Sequence, residues 1–324
     1  MRRFLLTALK ILVSAGLLYL ALAKINLADL ASRFDLATIG WVAAAIAVVV
    51  IQIVAGAVRW SEISAECDVS LRLMRAIRFN MIGAFFNQTL PSSIGGDAVR
   101  LMLLARSGAG WRAATYSVFV ERAIGLIALA VVILVALPWS YRLIGNPAGR
   151  SALLLIELAA LLGAGVFLLL GRLRWPWLRR WWGTHHLYAC STIANRALFR
   201  RRHGPKLAGL SVLVHLLAVL AAWCVVQSIK APVSFSQLIQ LVPPVMLVTM
   251  MPISIAGWGV REATMGLAFG YAGLAATEGV NISLLFGMVY FIVGAFGGMV
   301  WIFSSEKAAS RLASNQDLDK TDLG

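Results

Sequence analysis

The chain has 324 residues, of which 60% are hydrophobic and 13% charged, with a mean hydropathy of +0.83 and a formal net charge of +15. A soluble domain of this size cannot bury that much apolar surface, so lipid is the solvent for much of the chain. The positive charge sits in short loops beside apolar runs with no RNA-binding motif, a membrane-topology pattern that argues against nucleic acid, the rival reading, as the partner.

A membrane span takes roughly 20 apolar helical residues. The first candidate is residues 4–23, behind Arg2 and Arg3, which place the N-terminus in the cytoplasm. Met1-Arg2-Arg3, the apolar run and Ala21-Leu22-Ala23 imitate a cleavable signal peptide. Lys10 interrupts the run and its length suits a span, so a retained first helix is expected.

The next span is residues 39–58, after which Arg59, Arg72, Arg75 and Arg78 return the chain to the cytoplasm. Arg100, Arg106 and Arg112 are basic again, although the apolar stretch 79–90 lies between the two clusters. Both flanks are cytoplasmic only if that stretch enters and turns back, and Pro91, Gly95 and Gly96 supply the break. A re-entrant hairpin is expected near residues 79–105.

Spans at 113–137 and 151–170 follow, and then a basic loop at 171–206. From Arg172 to Lys206 it carries nine Lys/Arg and no acid, interleaved with Trp175, Trp177, Trp181 and Trp182, so it reads as a cytoplasmic loop against anionic headgroups. Residues 206–229 lead outward and 283–303 return beside Lys307 and Arg311. The segment 238–276 therefore starts and ends outside, broken at Pro252, Gly257 and Gly259, as a second re-entrant hairpin.

The expected fold is an all-α integral membrane protein with about six full transmembrane helices, two inverted re-entrant hairpins and both termini cytoplasmic. Residues 1–305 form the membrane domain, and 306–324 a polar, disordered tail with Asp317, Asp319 and Asp322.

The two breaks align without a gap. Pro91-Ser92-Ser93-Ile94-Gly95-Gly96-Asp97-Ala98-Val99-Arg100 matches Pro252-Ile253-Ser254-Ile255-Ala256-Gly257-Trp258-Gly259-Val260-Arg261. One copy enters from the cytoplasm and the other from outside, the arrangement by which inverted-repeat transporters place a site near the midplane.

Charge inside a bilayer is expensive, about 2.5–3.5 kcal/mol per residue on insertion scales. The chain nevertheless keeps Asp97, Arg100, Glu121, Arg122, Arg261 and Glu262 in or beside apolar segments. Neighbours on a helix point apart, so Glu121 and Arg122 must find partners elsewhere; Arg100 and Arg261 are placed to meet Glu121 or Glu262 across the repeat interface.

A helix restarting after Gly95-Gly96 or Gly257-Trp258-Gly259 exposes unsatisfied N–H groups at its positive end. An arginine one turn in makes a site suited to phosphate, and in a membrane the abundant phosphate is the lipid headgroup. Arg100, Arg261, Gly95, Gly96, Gly257 and Gly259 are thus the candidate phosphate site, with Asp97, Glu121, Arg122 and Glu262 as its charge network. Asp97 either caps its helix or selects among headgroups. The alternative makes both arginines interfacial anchors and the glycines packing devices.

Asn87 and Gln88 either line a polar cavity or satisfy broken backbone. Glu157, alone in its span, is either a packing residue or a member of the site. His215 reads as a helix-contact residue, His185-His186 as interfacial, and Gly294 with Gly298 as a close-packing pair. Cys67, Cys190 and Cys224 lack metal-ligand spacing, and no metal or cofactor is expected.

Leu90 to Arg100, Glu121-Arg122 and Pro252 with Gly257-Trp258-Gly259-Val260-Arg261-Glu262, in this order, resemble the motifs of the lysylphosphatidylglycerol synthase transmembrane region. That family is a flippase-like membrane domain, found alone or fused to an aminoacyltransferase, and the resemblance covers most of the chain. It implies lipid handling in a bacterial inner membrane, in particular translocation of a phospholipid or other phosphate-bearing lipid between leaflets, with lipid-biosynthesis enzymes as possible partners. The stretch after Phe303 is too short for the soluble aminoacyl-transfer domain, so synthase activity is not expected of this chain. A membrane transferase or accessory subunit of aminoacyl-phospholipid or glycolipid synthesis is the alternative, and a small-solute transporter a further one.

Overall fold

The computed structural model describes residues 19, 33, 35–90, 95–173, 182–201, 203–250 and 257–321, with backbone alone from 305 onward. Apart from Tyr19, the expected first span at 4–23 lies outside them, as do the Pro-x-Ser-Ile halves of both repeat copies and residues 174–181 of the basic loop. The described chain is helical, with no strand, in ten α-helices and one short π-helical turn.

In chain order these are α1 (Leu36–Ala65), α2 (Leu73–Thr89), α3 (Gly95–Leu104), the π turn Ala105–Ala109, α4 (Trp111–Leu143), α5 (Pro147–Leu170), α6 (Trp182–Phe199), α7 (Gly204–Ser228), α8 (Phe235–Thr249), α9 (Val260–Tyr271) and α10 (Ala276–Thr321). Five of them, α1, α4, α5, α7 and α10, are long and apolar enough to cross a membrane. The chain is a multi-pass membrane protein.

The core is built on α1 and α7, which run antiparallel. Small residues face each other along the seam: Ala45 and Val49 with Ala218, Ala222 and Val225. In lipid there is no hydrophobic drive between helices, so close contact of small side chains carries the association. Polar contacts pin both ends. At one, Thr38 Oγ1 donates to the Ser228 carbonyl (2.9 Å) and Lys230 Nζ to Asp35 Oδ2 (2.6 Å). At the other, Lys206 pairs with Glu62 (2.5 Å) and Arg200 with Glu66 (2.9 Å).

Asp35 also begins α1 as a capping box, accepting from the Thr38 amide (3.0 Å). The Lys230 hydrogen bond, then that amide, hold its carboxyl at about 2, below its ordinary 3.8. A carboxyl depressed by folding stabilises the fold above its ordinary value and loses that contribution as pH falls through the folded value. We therefore expect a small loss of stability between about pH 4 and pH 2 that Asp35→Asn does not show. Acid titration of the melting temperature at low salt checks this, and identical acid profiles would remove Asp35 from the account.

Both broken segments fold as pairs of short helices. At 1.5 Å per residue α2 and α3 are about 25 and 15 Å long, and α8 and α9 about 22 and 18 Å, so none matches a full crossing of about 30 Å. α3 returns antiparallel along α2, since Gly96 lies on Asn87 and Arg100 on Gly83.

The first hairpin packs on α10 through glycines. A Cβ at Gly294 would lie 3.3 Å from the Ala84 carbonyl oxygen, one at Gly297 only 1.9 Å from that of Met81, and one at Gly298 2.8 Å from the Phe85 ring. The contact uses Gly294 and Gly298 as read from the sequence, and Gly297 as its tightest point.

The stretch read as a basic loop contains α6, whose buried Cys190, Ala194 and Ala197 pack with Ile63, Val120, Ile124 and Leu207. Its small residues every three or four positions give it an inner face despite the flanking charge. The backbone of α10 continues to Thr321.

Candidate functional site

Where α1, α3 and α4 meet, five charged side chains gather among apolar helices. Arg122 Nε and Nη2 donate to the two oxygens of Asp97 (2.6 and 2.9 Å), and Arg100 Nη1 donates to Asp97 Oδ1 (3.1 Å). Glu121 accepts from Arg100 through both terminal nitrogens (3.4 Å each) and pairs on its other oxygen with Arg59. Glu121 and Arg122, pointing apart on α4, thus take separate partners. Asp97 turns its carboxylate to Arg100 and Arg122.

The hairpin sets this geometry. Gly96 takes the close approach: a Cβ there would lie 2.1 Å from the Gly83 carbonyl oxygen and 2.6 Å from Asn87. Asn87 Oδ1 accepts the Gly96 amide (2.9 Å), so one N–H at the start of α3 is already satisfied, and Asn87 serves broken backbone. Gly83 leaves room for the Arg100 stem, 2.8 Å from where a Cβ would be. The Arg100 guanidinium then stacks 4.2 Å above the Trp60 ring, whose N–H donates to Ser117 (3.3 Å). Gln88 packs beside Gly294 with its Oε1 buried and unpartnered.

Arg59 is the member that sequence reasoning missed. It reads as a topology-setting arginine at the end of an apolar run, yet α1 continues to Ala65 and Arg59 is only 7% exposed. The signal was present: Trp60, Ile63 and Ser64, all buried, continue a helical stripe beyond the apolar run. Its Nε and Nη1 are buried without acceptors, as is Arg100 Nε. Three arginines face two carboxylates, leaving one uncompensated positive charge. Arg122 is the open edge, with 42% of its side chain exposed.

The second hairpin places Arg261 and Glu262 apart from this cluster. Among the described residues no hydrogen bond or ion pair joins the two sets. Gly257 and Gly259 adopt left-handed φ of +79° and +82°, and the helix restarts only at Val260. In the first copy Gly95 is already helical, so Arg100 lies in the second turn of its helix and Arg261 in the first. The aligned arginines are therefore not equivalent in space.

Glu262 at the third helical position reaches back to the Gly259 amide (2.6 Å), which brings its other oxygen to its chain neighbour Arg261 (2.7 Å) and to Ser283 (3.0 Å). Arg261 stacks on Trp258 at 4.9 Å, in space left by Gly287. It meets Glu262, not a carboxylate of the other repeat, and its charge is matched.

The remaining sequence candidates have structural positions. His215 Nε2 bonds the Gly125 carbonyl (2.9 Å), tying α7 to α4 as a helix contact. His186 Nδ1 meets the Tyr116 hydroxyl (2.5 Å) and His185 meets Arg112 (3.3 Å) near exposed Trp182 and Trp111. Glu157 is buried away from both charge sets.

Apolar spans enclosing an arginine–carboxylate cluster beside a broken hairpin define a polytopic membrane protein with a polar site among its helices. The chain belongs to the family described as the lysylphosphatidylglycerol synthase TM region, which it matches over residues 7–298. Membership places it among membrane proteins of lipid modification or translocation. No curated protein and no solved structure matches the chain.

Proposed function

We propose that the protein translocates a phosphate-bearing lipid between leaflets and that the Arg59–Arg100–Arg122 cluster receives the headgroup phosphate. One observation carries this reading: three guanidiniums share two carboxylates, and buried N–H groups of Arg59 and Arg100 lack acceptors. An unpaired charge inside a helix bundle costs several kcal/mol, and a phosphate supplies both the missing charge and the missing acceptors. Arg122, exposed at the edge, meets the headgroup first. Arg261, already balanced by Glu262, steadies the opposite hairpin.

The test is headgroup-resolved lipid translocation in proteoliposomes. Arg122→Gln leaves Asp97 paired with Arg100, so the fold is expected to survive. Loss of a charged hydrogen bond, about 1.5–3 kcal/mol, should slow movement of phosphate lipids by about tenfold to a hundredfold. Equal rates in wild type and variant would remove the phosphate site. A folded wild type that moves no anionic, aminoacylated or polyprenyl phosphate lipid would overturn the translocator reading in favour of a transferase or accessory role.

A further inference from the structure

Beyond the arginine cluster, α5 carries an ionisable group that this mechanism does not use. α5 buries three residues, Gly149, Leu153 and Glu157, four apart on one stripe, while Leu155 is 67% exposed and Leu162 59%. α5 is therefore a peripheral helix that seals against the protein along a narrow seam, and one of its three seam residues is a glutamate. Glu157 is 2% exposed, and neither carboxylate oxygen has a hydrogen-bond partner.

We propose that Glu157 is a proton-binding site whose occupancy controls how the α5 seam closes on the rest of the bundle. An isolated carboxylate in an apolar seam costs far more than packing can return, so the closed seam holds the neutral acid. A metal cation would require several oxygen ligands, and the described residues contain no cluster of His, Cys, Asp or Glu able to hold one. A proton requires only the carboxyl itself.

Among the described residues no titrating side chain hydrogen-bonds to Glu157. α8 has no ionisable side chain. From α9, Tyr271 touches α5 at Gly149, two turns or about 12 Å from Glu157; Arg261 and Glu262 pair with each other. On α4, Glu121 and Arg122 are held in the arginine cluster, and Arg112 and Tyr116 meet His185 and His186 of α6. Tyr141 and Arg142 lie at the far end of α4, while Arg150 of α5 itself donates to the Tyr141 and Ile144 carbonyls. On α6, Ser191 and Asn195 bond the Phe167 and Leu168 carbonyls, more than two turns beyond Glu157. Cys190 is buried in its own apolar cluster, and Arg196 is exposed.

The wall opposite is able to move. Leu153, one turn before Glu157 on the same stripe, packs with Leu129 and Ile133 of α4 and with Met246, Leu247 and Met250 at the end of α8. Pro243 and Pro244 remove two main-chain N–H groups from the middle of α8, and the Gln240 carbonyl is left to accept from Ser140 at 3.4 Å. The hairpin arm that meets the seam at Leu153, one turn from Glu157, is thus a helix with missing internal bonds. Loss of the proton leaves a charge that only water can stabilise, and water enters when the seam parts. Rebinding of the proton closes the seam. That this opening serves lipid passage rests on the translocator reading; the proton site does not.

Infrared titration of the reconstituted protein, wild type against Glu157→Gln, reads the carboxyl directly. The expected result is one protonated-carboxyl C=O band at neutral pH that disappears on alkaline titration and is missing from the variant. The pH dependence of lipid translocation should also be lost in Glu157→Gln, because an amide there stays neutral throughout. A band present in both proteins, or one that responds to sodium instead of pH, would overturn the proton site. An unchanged pH profile with the band lost would overturn the coupling. If the band titrates but wild type moves no lipid, the translocator reading fails while the proton site stands.

Discussion

Glu121→Gln is expected to destabilise the folded protein by about 3–5 kcal/mol, the range for removing one partner of a buried ion pair. Arg59 has Glu121 as its ion-pair partner, and its Nε and Nη1 already lack acceptors. Without the carboxylate, Arg59, Arg100 and Arg122 face Asp97 alone, and the cluster goes from one excess positive charge to two. Glutamine preserves the shape of the side chain, so the loss reports charge rather than a cavity. Thermal unfolding in detergent, followed by loss of the monodisperse elution peak, measures it.

The companion is Arg59→Leu/Glu121→Leu. Removing both partners returns the cluster to one excess charge, two arginines on one acid, and should recover most of the stability. Recovery would identify the single-variant loss as an unpaired charge. A Glu121→Gln protein as stable as wild type would mean that water reaches these guanidiniums, and the argument for a missing anion would fall.

Gly96→Ala is the second large effect. The added methyl would lie 2.1 Å from the Gly83 carbonyl oxygen and 2.6 Å from Asn87. Overpacking costs about 1–3 kcal/mol when side chains can yield. Here main chain faces main chain, so about 3 kcal/mol is expected, together with separation of α3 from α2. Arg100, carried by α3, would be drawn away from Glu121, and lipid movement should fall with stability. Gly163→Ala is the control, a helical glycine on α5 with nothing near its would-be Cβ, where alanine should stabilise by about 0.5–1 kcal/mol. Equal melting temperatures for the two variants would show that the hairpin is not closed at Gly96.

The residues that could be read in advance share a local signal. Glu121 and Arg122 stand out because apolar sequence surrounds them, and they take separate partners, whereas the adjacent Arg261 and Glu262 pair with each other. Gly294 and Gly298 show close packing by spacing alone. Arg59 had a fainter mark, the stripe of Trp60, Ile63 and Ser64 beyond it, because an arginine at the end of an apolar run looks like a topology signal until the helix is seen to continue past it. The two aligned arginines looked equivalent because a gapless match hides where each helix restarts. Left-handed glycines delay the second restart to Val260, whereas Gly95 and Gly96 lie inside the first helix.

The sequence alone determined the solvent, the helical class, the order of the long spans, the two broken segments and the family, because each is written in runs of neighbouring residues. Hydropathy, breakers and motif order are local quantities. Only the tertiary structure decided which charges meet: Arg59, Arg100, Arg122, Asp97 and Glu121 in one cluster, Arg261 with Glu262 in another, and Glu157 with none. The physical reason is that the energy of a buried charge depends on partners brought from other helices across distances of a few ångströms. Those distances are set by glycine contacts such as Gly96 on Gly83 and Gly297 on Met81, far apart or unmarked along the chain.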